Sequence, residues 1–130
     1  MKIVCVDDQP LHLLDLKNTV QELLPDAEVT TFRKPAEAQK FVAENGCDVL
    51  ICEIDMAGGD GIMLAEKMQA ANPKLNIIFV TVCDERERAG EVLRFRPSGY
   101  LTKPYTQSQL MQELQMLRHP VKPEDSPDTR

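Results

Sequence analysis

Positive charge is in short supply in this sequence. Fifteen lysines and arginines face 21 aspartates and glutamates, for a formal charge of −6. That balance argues against the chain gripping DNA or RNA by itself. No apolar run approaches the length of a membrane span, and no apolar segment of the signal-peptide kind follows the Met-Lys start. A cytoplasmic protein without membrane contact is therefore expected. Cysteine pairing is missing too: none of Cys5, Cys47, Cys52 and Cys83 forms a C-x-x-C pair, and neither His12 nor His119 stands close to them in sequence. This speaks against structural zinc. Cys5 and Cys52 sit inside apolar runs, where a thiol acts as a small hydrophobe. Cys83 follows a strand end and is the candidate for a reactive thiol.

What is present is an ordinary globular composition, 42% apolar and 28% charged over 130 residues. One domain of this length buries roughly two-thirds of its unfolded surface. Five short β-rich runs stand out, Lys2–Val6, Glu28–Phe32, Asp48–Glu53, Asn76–Val82 and Gly99–Thr102. Helical patterns separate them. Leu13, Leu16, Val20 and Leu23 mark a first helix, and Ala38, Phe41 and Val42 a second that starts at Pro35, a residue suited to a first turn. Ile62, Ala65 and Met68 mark a third, about Glu85 to Phe95 a fourth that stops at Pro97, and Leu110, Leu114 and Leu117 a fifth. Strands alternating with helices predict an α/β fold, a single doubly wound (βα)5 domain. "IVCV", "VLIC" and "IIFVTV" are nearly continuous apolar runs, as parallel strands covered on both faces require. The expected strand order is the flavodoxin-like 2-1-3-4-5. Residues 1–118 are expected to form the domain, and 119–130, "HPVKPEDSPDTR", a Pro-rich charged tail or linker.

In an open parallel sheet, chemistry collects beyond the carboxyl ends of the strands. Strand 1 ends in Asp7 and Asp8, strand 3 in Glu53, strand 4 in Thr81, and strand 5 in Lys103 followed by Pro104. Each has an ordinary explanation alone: Asp-Asp as a cap or turn, a Thr as packing, Lys-Pro as a solvated turn, "GGDG" as a flexible connection. Together, three carboxylates, an ammonium and a hydroxyl converge on one crevice. Crowded carboxylates call for a cation, and hard oxygen ligands suit Mg²⁺. Lysine and threonine suit the oxygens of a small anion.

On "VDDQP", "EIDMAGGDGI", "VTV" and "GYLTKPY", residues 1 to about 118 resemble the receiver domain of two-component response regulators. The resemblance implies phosphorelay signal transduction, a sensor histidine kinase or other signalling protein as partner, and an output module regulating transcription beyond the C-terminus. It implies a Mg²⁺ site at Asp7, Asp8, the acceptor position 53 and the backbone carbonyl of Asp55. It also makes Thr81 the switch hydroxyl, Tyr100 the switch aromatic and Lys103 the phosphate-contacting lysine. Homodimerisation through helix 4, strand 5 and helix 5 is implied as well, with "DERER" offering mixed charge for ion contacts.

Three positions depart from the family pattern: Glu53 replaces the acceptor aspartate, Ala57 the usual proline, and Val82 the usual small residue. Glutamate and aspartate ionise alike near neutral pH. The extra C–C bond, however, moves the carboxylate by up to roughly 1.5 Å. A misplacement of about 1 Å can cost on the order of a hundredfold in an in-line transfer. The same reach lets Glu53 imitate phosphate, with one negative charge against roughly 1.5 to 2. The expectation is a non-enzymatic domain signalling without phosphorylation, with weak Mg²⁺ binding and at most slow self-phosphorylation from a phosphodonor. The alternatives are a constitutive interaction or dimerisation module, retained phosphorylation on Glu53 or Asp55, and a Mg²⁺-dependent phosphohydrolase.

Overall fold

The computed structural model of the chain describes residues 1–82 and 88–121. The chain runs β1 (Lys2–Val6), α1 (Pro10–Leu23), β2 (Glu28–Phe32), α2 (Pro35–Asn45) and β3 (Val49–Cys52). A hairpin of two-residue strands, β4 (Asp55–Met56) and β5 (Gly59–Asp60), precedes α3 (Gly61–Ala71). Then come β6 (Asn76–Thr81), α4 (Ala89–Phe95), β7 (Gly99–Thr102) and α5 (Gln107–Gln115). The main sheet is parallel, in the order β2-β1-β3-β6-β7. Leaving the hairpin aside, this is the expected 2-1-3-4-5 order.

Alternation along the strands divides the core into two layers. Val4, Val6, Leu50, Cys52, Ile77 and Phe79 face α2 and α3. Ile3, Cys5, Val49, Ile51, Ile78 and Val80 face α1 and α5. All six residues of β6 are buried, which suits a central strand covered on both faces. Helix ends follow local rules. Pro10 and Pro35 open α1 and α2 in first-turn positions. Thr106 and Gln109 form a reciprocal capping box on α5. Gly46, at φ 78°, takes the left-handed conformation that ends α2.

Several element ends differ from the sequence expectation. β3 stops at Cys52, because the carboxylate of Glu53 turns back onto the following amides. β6 stops at Thr81 and α5 at Gln115, short of Leu117. Helix α4 begins at Ala89, with Arg88 as its N-cap residue. The expected helical residues 85–87 and the thiol of Cys83 lie outside the described residues, as do 122–130 of the expected tail. Seven residues are too few for an independently stable helix. No residue of α4 is fully buried, and its attachment is through Val92 and Phe95, whose ring centroid lies 5.5 Å from that of Phe79. Cys5, Cys47 and Cys52 are free and buried, and burial pushes the Cys47 thiol up to about 12, so these behave as the inert hydrophobes expected of Cys5 and Cys52.

Candidate functional site

The strand register brings the carboxyl ends of β1, β3, β6 and β7 to one edge of the sheet. Asp7 and Glu53 are 3% and 5% exposed, and charges so placed need a partner. Lys103 is that partner. Its Nζ lies 2.5 Å from Asp7 Oδ2 and 2.9 Å from Glu53 Oε1. His12 Nδ1 stands at 3.1 Å from the same nitrogen. With the imidazole proton on Nε2, three acceptors meet the three ammonium hydrogens. Burial is the largest single influence on Lys103 and lowers its pKa, but the hydrogen bonds and charges of Asp7 and Glu53 together hold it above its ordinary value.

The second oxygens of Asp7 and Glu53 are also engaged, as is one oxygen of Asp8. Glu53 Oε2 accepts from the amides of Ile54 at 2.7 Å and Asp55 at 3.3 Å. Asp7 Oδ1 accepts from the amide of Gln9 at 2.9 Å, and Asp8 Oδ2 from that of Ala57 at 2.6 Å. A proline at position 57 has no N–H to give, so the departure to alanine is what permits the second bond. Asp55 points elsewhere, to Arg88 Nη1 at 3.2 Å.

The β4–β5 hairpin is seated tightly. The Gly61 amide donates to the Ile54 carbonyl at 2.8 Å, and a Cβ on Gly61 would fall 2.0 Å from the Glu53 carbonyl oxygen. Asp60 caps α3 through the amide of Ile62 and holds Arg88 Nη2 at 2.7 Å. Arg88 Nε meets Glu91 at 2.9 Å, so one guanidinium ties the hairpin to the first turn of α4. The hydrogen bonds that Arg88 donates to Glu91 and then Asp60 raise its pKa, and the bond Glu91 accepts from Arg88 lowers that of Glu91.

Thr81 is fully buried at the end of β6, and its carbonyl accepts from the Lys103 amide at 2.8 Å. Tyr100 is half-buried against the cluster that holds Val92 and Phe95. Asp7, Glu53 and Lys103 are thus brought into contact, whereas Asp8 and Asp55 turn to other partners. Among the described residues no group of three or more His, Cys, Asp and Glu side chains is arranged to hold a metal ion. The donor types suit Mg²⁺. Their arrangement is not a ready cage, because Lys103 already stands between Asp7 and Glu53 and Asp8 is bound to the loop.

Sequence reasoning missed the hairpin, His12 and Arg88. The Asp60-Gly61 pair ahead of an apolar run is a helix-start signal that locates the hairpin's end. The sequence expectation gives "DERER" contacts with another molecule, whereas Arg88 engages Asp55, Asp60 and Glu91 within the chain. The other four residues of that motif lie outside the described ones.

Residues 3–115 match the family model described as the response regulator receiver domain. The Escherichia coli (strain K12) transcriptional regulatory protein YpdB is 29% identical over 117 residues, 90% of this chain and 47% of that protein. Protein MrkE of Klebsiella pneumoniae is 27% identical, over 90% of this chain and 43% of that one. The chain thus spans about half the length of these relatives. The crystal structure of the MrkE response regulatory domain superposes with a TM-score of 0.80 at 27% identity, covering 90% of this chain and 94% of that one. That of TrrA from Thermotoga maritima, a complex with Mg²⁺ and BeF, gives 0.76 at 24% identity over 88% and 96% of the chains, a likeness of fold.

Proposed function

This chain belongs to the response regulator receiver domain family, and from that membership we propose that it signals without taking up phosphate. The observation that carries the proposal is the 2.9 Å contact between Glu53 Oε1 and Lys103 Nζ. Glu53 gives Lys103 the negative oxygen that a phosphoryl group supplies elsewhere in the family. Its other oxygen is held by two backbone amides, so the carboxylate is not poised for in-line attack. Thr81 and Tyr100 are assigned as the residues through which the arrangement at Glu53 reaches the α4–β7–α5 face. The test is intact mass after incubation with acetyl phosphate and a Mg²⁺ salt. No 80-Da adduct is expected, and stoichiometric phosphate on this chain would sink the proposal.

Mg²⁺ is assigned as a weakly held ion with Asp7, Asp8, Glu53 and the Asp55 carbonyl as its ligands, in competition with Lys103 for Asp7 and Glu53 and with the Ala57 amide for one oxygen of Asp8. It would neutralise the acidic crevice. The domain is assigned as a cytoplasmic module without turnover, working through a sensor histidine kinase or another signalling protein and through an output module further along the chain. Direct contact with nucleic acid is not part of the proposal, since the net charge is −6. Nor is contact with a membrane: no helix among the described residues is long and apolar enough to cross one. Homodimerisation through α4, β7 and α5 is assigned on family grounds, and sedimentation as a monomer at high concentration and low salt would remove it.

A constitutive interaction module is the second reading. It is favoured by the saturation of Lys103, Asp7 and Glu53, which leaves the site one evident arrangement. Relaxation-dispersion measurements on the α4–β7–α5 face separate the two, because a switch exchanges between states and a fixed module does not. Family membership leaves the phosphohydrolase alternative without support.

A further inference from the structure

Helix α5 ends at Gln115, but the chain is not released there. The Arg118 amide donates to Ser98 Oγ at 3.1 Å. Its guanidinium donates to the carbonyls of Arg96 at 2.6 Å and Pro97 at 3.3 Å. These acceptors form the turn that follows α4. Arg96 itself adopts φ 59°, a left-handed conformation that a non-glycine residue holds only when its surroundings fix it.

One residue further on, the contact changes sides. The His119 amide donates to Asn76 Oδ1 at 2.8 Å, and the His119 carbonyl accepts from Asn76 Nδ2, also at 2.8 Å. The side-chain amide thus pairs with one residue of the exiting chain as a neighbouring strand would. Asn76 is 1% exposed, and its Nδ2 also reaches the Asp48 carbonyl at 3.1 Å. A polar group so deeply placed is held to its partners, since unpaired it would be stranded away from water. Asn76 opens β6, so this anchor sits at the end of the strand opposite Thr81 and the Glu53 site.

We propose that Asn76 and Arg118 form a clip that fixes where the chain leaves the domain and couples that exit to the turn after α4. Helix α4 has no fully buried residue, so it is the helix least fastened to the core. A shift of its last turn moves the Arg96 and Pro97 carbonyls, and with them Arg118 and the pairing at His119. Whatever follows residue 121 then receives the state of α4 as a change in its point of departure. The clip does not depend on the chemistry at Glu53.

Amide hydrogen exchange by NMR on the full chain tests the clip. In Arg118→Ala, which keeps the backbone bond to Ser98, exchange at His119 should quicken about tenfold, together with Ser98 and Gly99. In Asn76→Ala, the same three amides should quicken while Ile77 and Ile78 in the centre of the sheet hold their rates. Acceleration spread equally over Ile77 and Ile78 would make Asn76 a general stabiliser and overturn the clip. A His119 rate within about twofold of the parent in Arg118→Ala would overturn the coupling to α4.

Discussion

Lys103 Nζ lies between Asp7 Oδ2, at 2.5 Å, and Glu53 Oε1, at 2.9 Å, and both carboxylates are almost wholly buried. One ammonium therefore serves two buried anions. Removing one partner of a buried ion pair leaves an uncompensated charge, at a cost of roughly 3–5 kcal/mol. Here two charges would be stranded together. Lys103→Met should lower stability by about 3 kcal/mol or more in urea unfolding. Adding Glu53→Gln to that variant should restore part of the loss. If the double variant is no more stable than the single one, Glu53 is not a principal partner of Lys103.

The same pair sets an alkaline limit. Lys103 has a folded-state pKa above its ordinary 10.5, so folding favours its protonated form. Its contribution is complete below the unfolded value of about 10.4 and is lost as pH climbs through the raised folded value. The urea midpoint should fall above about pH 9 as the buried thiols begin to favour the unfolded state, and above roughly 10.5 it should fall more steeply in the parent than in Lys103→Met. Tyr105, pushed up to about 12 chiefly by burial, and the thiols of Cys5, Cys47 and Cys52, also raised by burial, add losses of the same sign, so Lys103→Met is the necessary comparison. Parallel falls in parent and variant would remove Lys103 from the explanation.

Shortening the acceptor side chain should restore phosphate chemistry. In Glu53→Asp, the carboxylate withdraws by one methylene and opens space beside Lys103. Asp7, Asp8 and Thr81 are unchanged. Intact mass after acetyl phosphate with a Mg²⁺ salt should show an added phosphate in the variant and none in the parent. An unmodified variant would mean that the site has diverged beyond its acceptor, in favour of the constitutive module.

How far the sequence foretold these relationships depends on their range. The five main strands and their order were legible because long apolar runs leave a parallel strand little choice of surroundings. The convergence of Asp7, Glu53 and Lys103 followed from strand ends alone. What each carboxylate does with its second oxygen was not legible. The Asp8–Ala57 and Asp55–Arg88 contacts join residues 49 and 33 positions apart, and no local periodicity encodes such choices. The hairpin escaped notice because two-residue strands carry no alternation. Its place is set by Gly61, which admits the Glu53 carbonyl where any Cβ would stand.

Metal affinity should depend on the Ala57 amide. Amide shifts at Asp7, Asp8 and Glu53 should respond to Mg²⁺ only at concentrations on the order of millimolar or above, because Lys103 holds Asp7 and Glu53 and the Ala57 amide competes for Asp8. Ala57→Pro deletes the competing donor and should shift the titration to lower Mg²⁺. Unmoved signals in both proteins would refute the metal assignment.

Gly61→Ala sets helix propensity against sterics. Alanine in a helix is favoured over glycine by about 1 kcal/mol. The new Cβ, however, would meet backbone atoms at 2.0 and 2.9 Å, which no side-chain motion can relieve. Overpacking of this kind costs roughly 1–3 kcal/mol, and the severity of the overlap places it at the upper end. A lower melting temperature is expected, and a higher one would mean that the hairpin is loosely seated.

The two tyrosines occupy the two regions on which these proposals turn. Tyr105 lines the cavity beside Lys103 and His12, and Tyr100 lines the groove that Leu93 and Arg118 border. With no tryptophan in the sequence, these two phenols are the whole of the long-wavelength ultraviolet emission of the chain. Tyr105→Phe leaves a protein whose fluorescence reports only the α4–β7 face, and Tyr100→Phe one that reports only the surroundings of the ammonium. Events at the acidic crevice and at the groove can therefore be timed separately in the same chain, without attaching a dye.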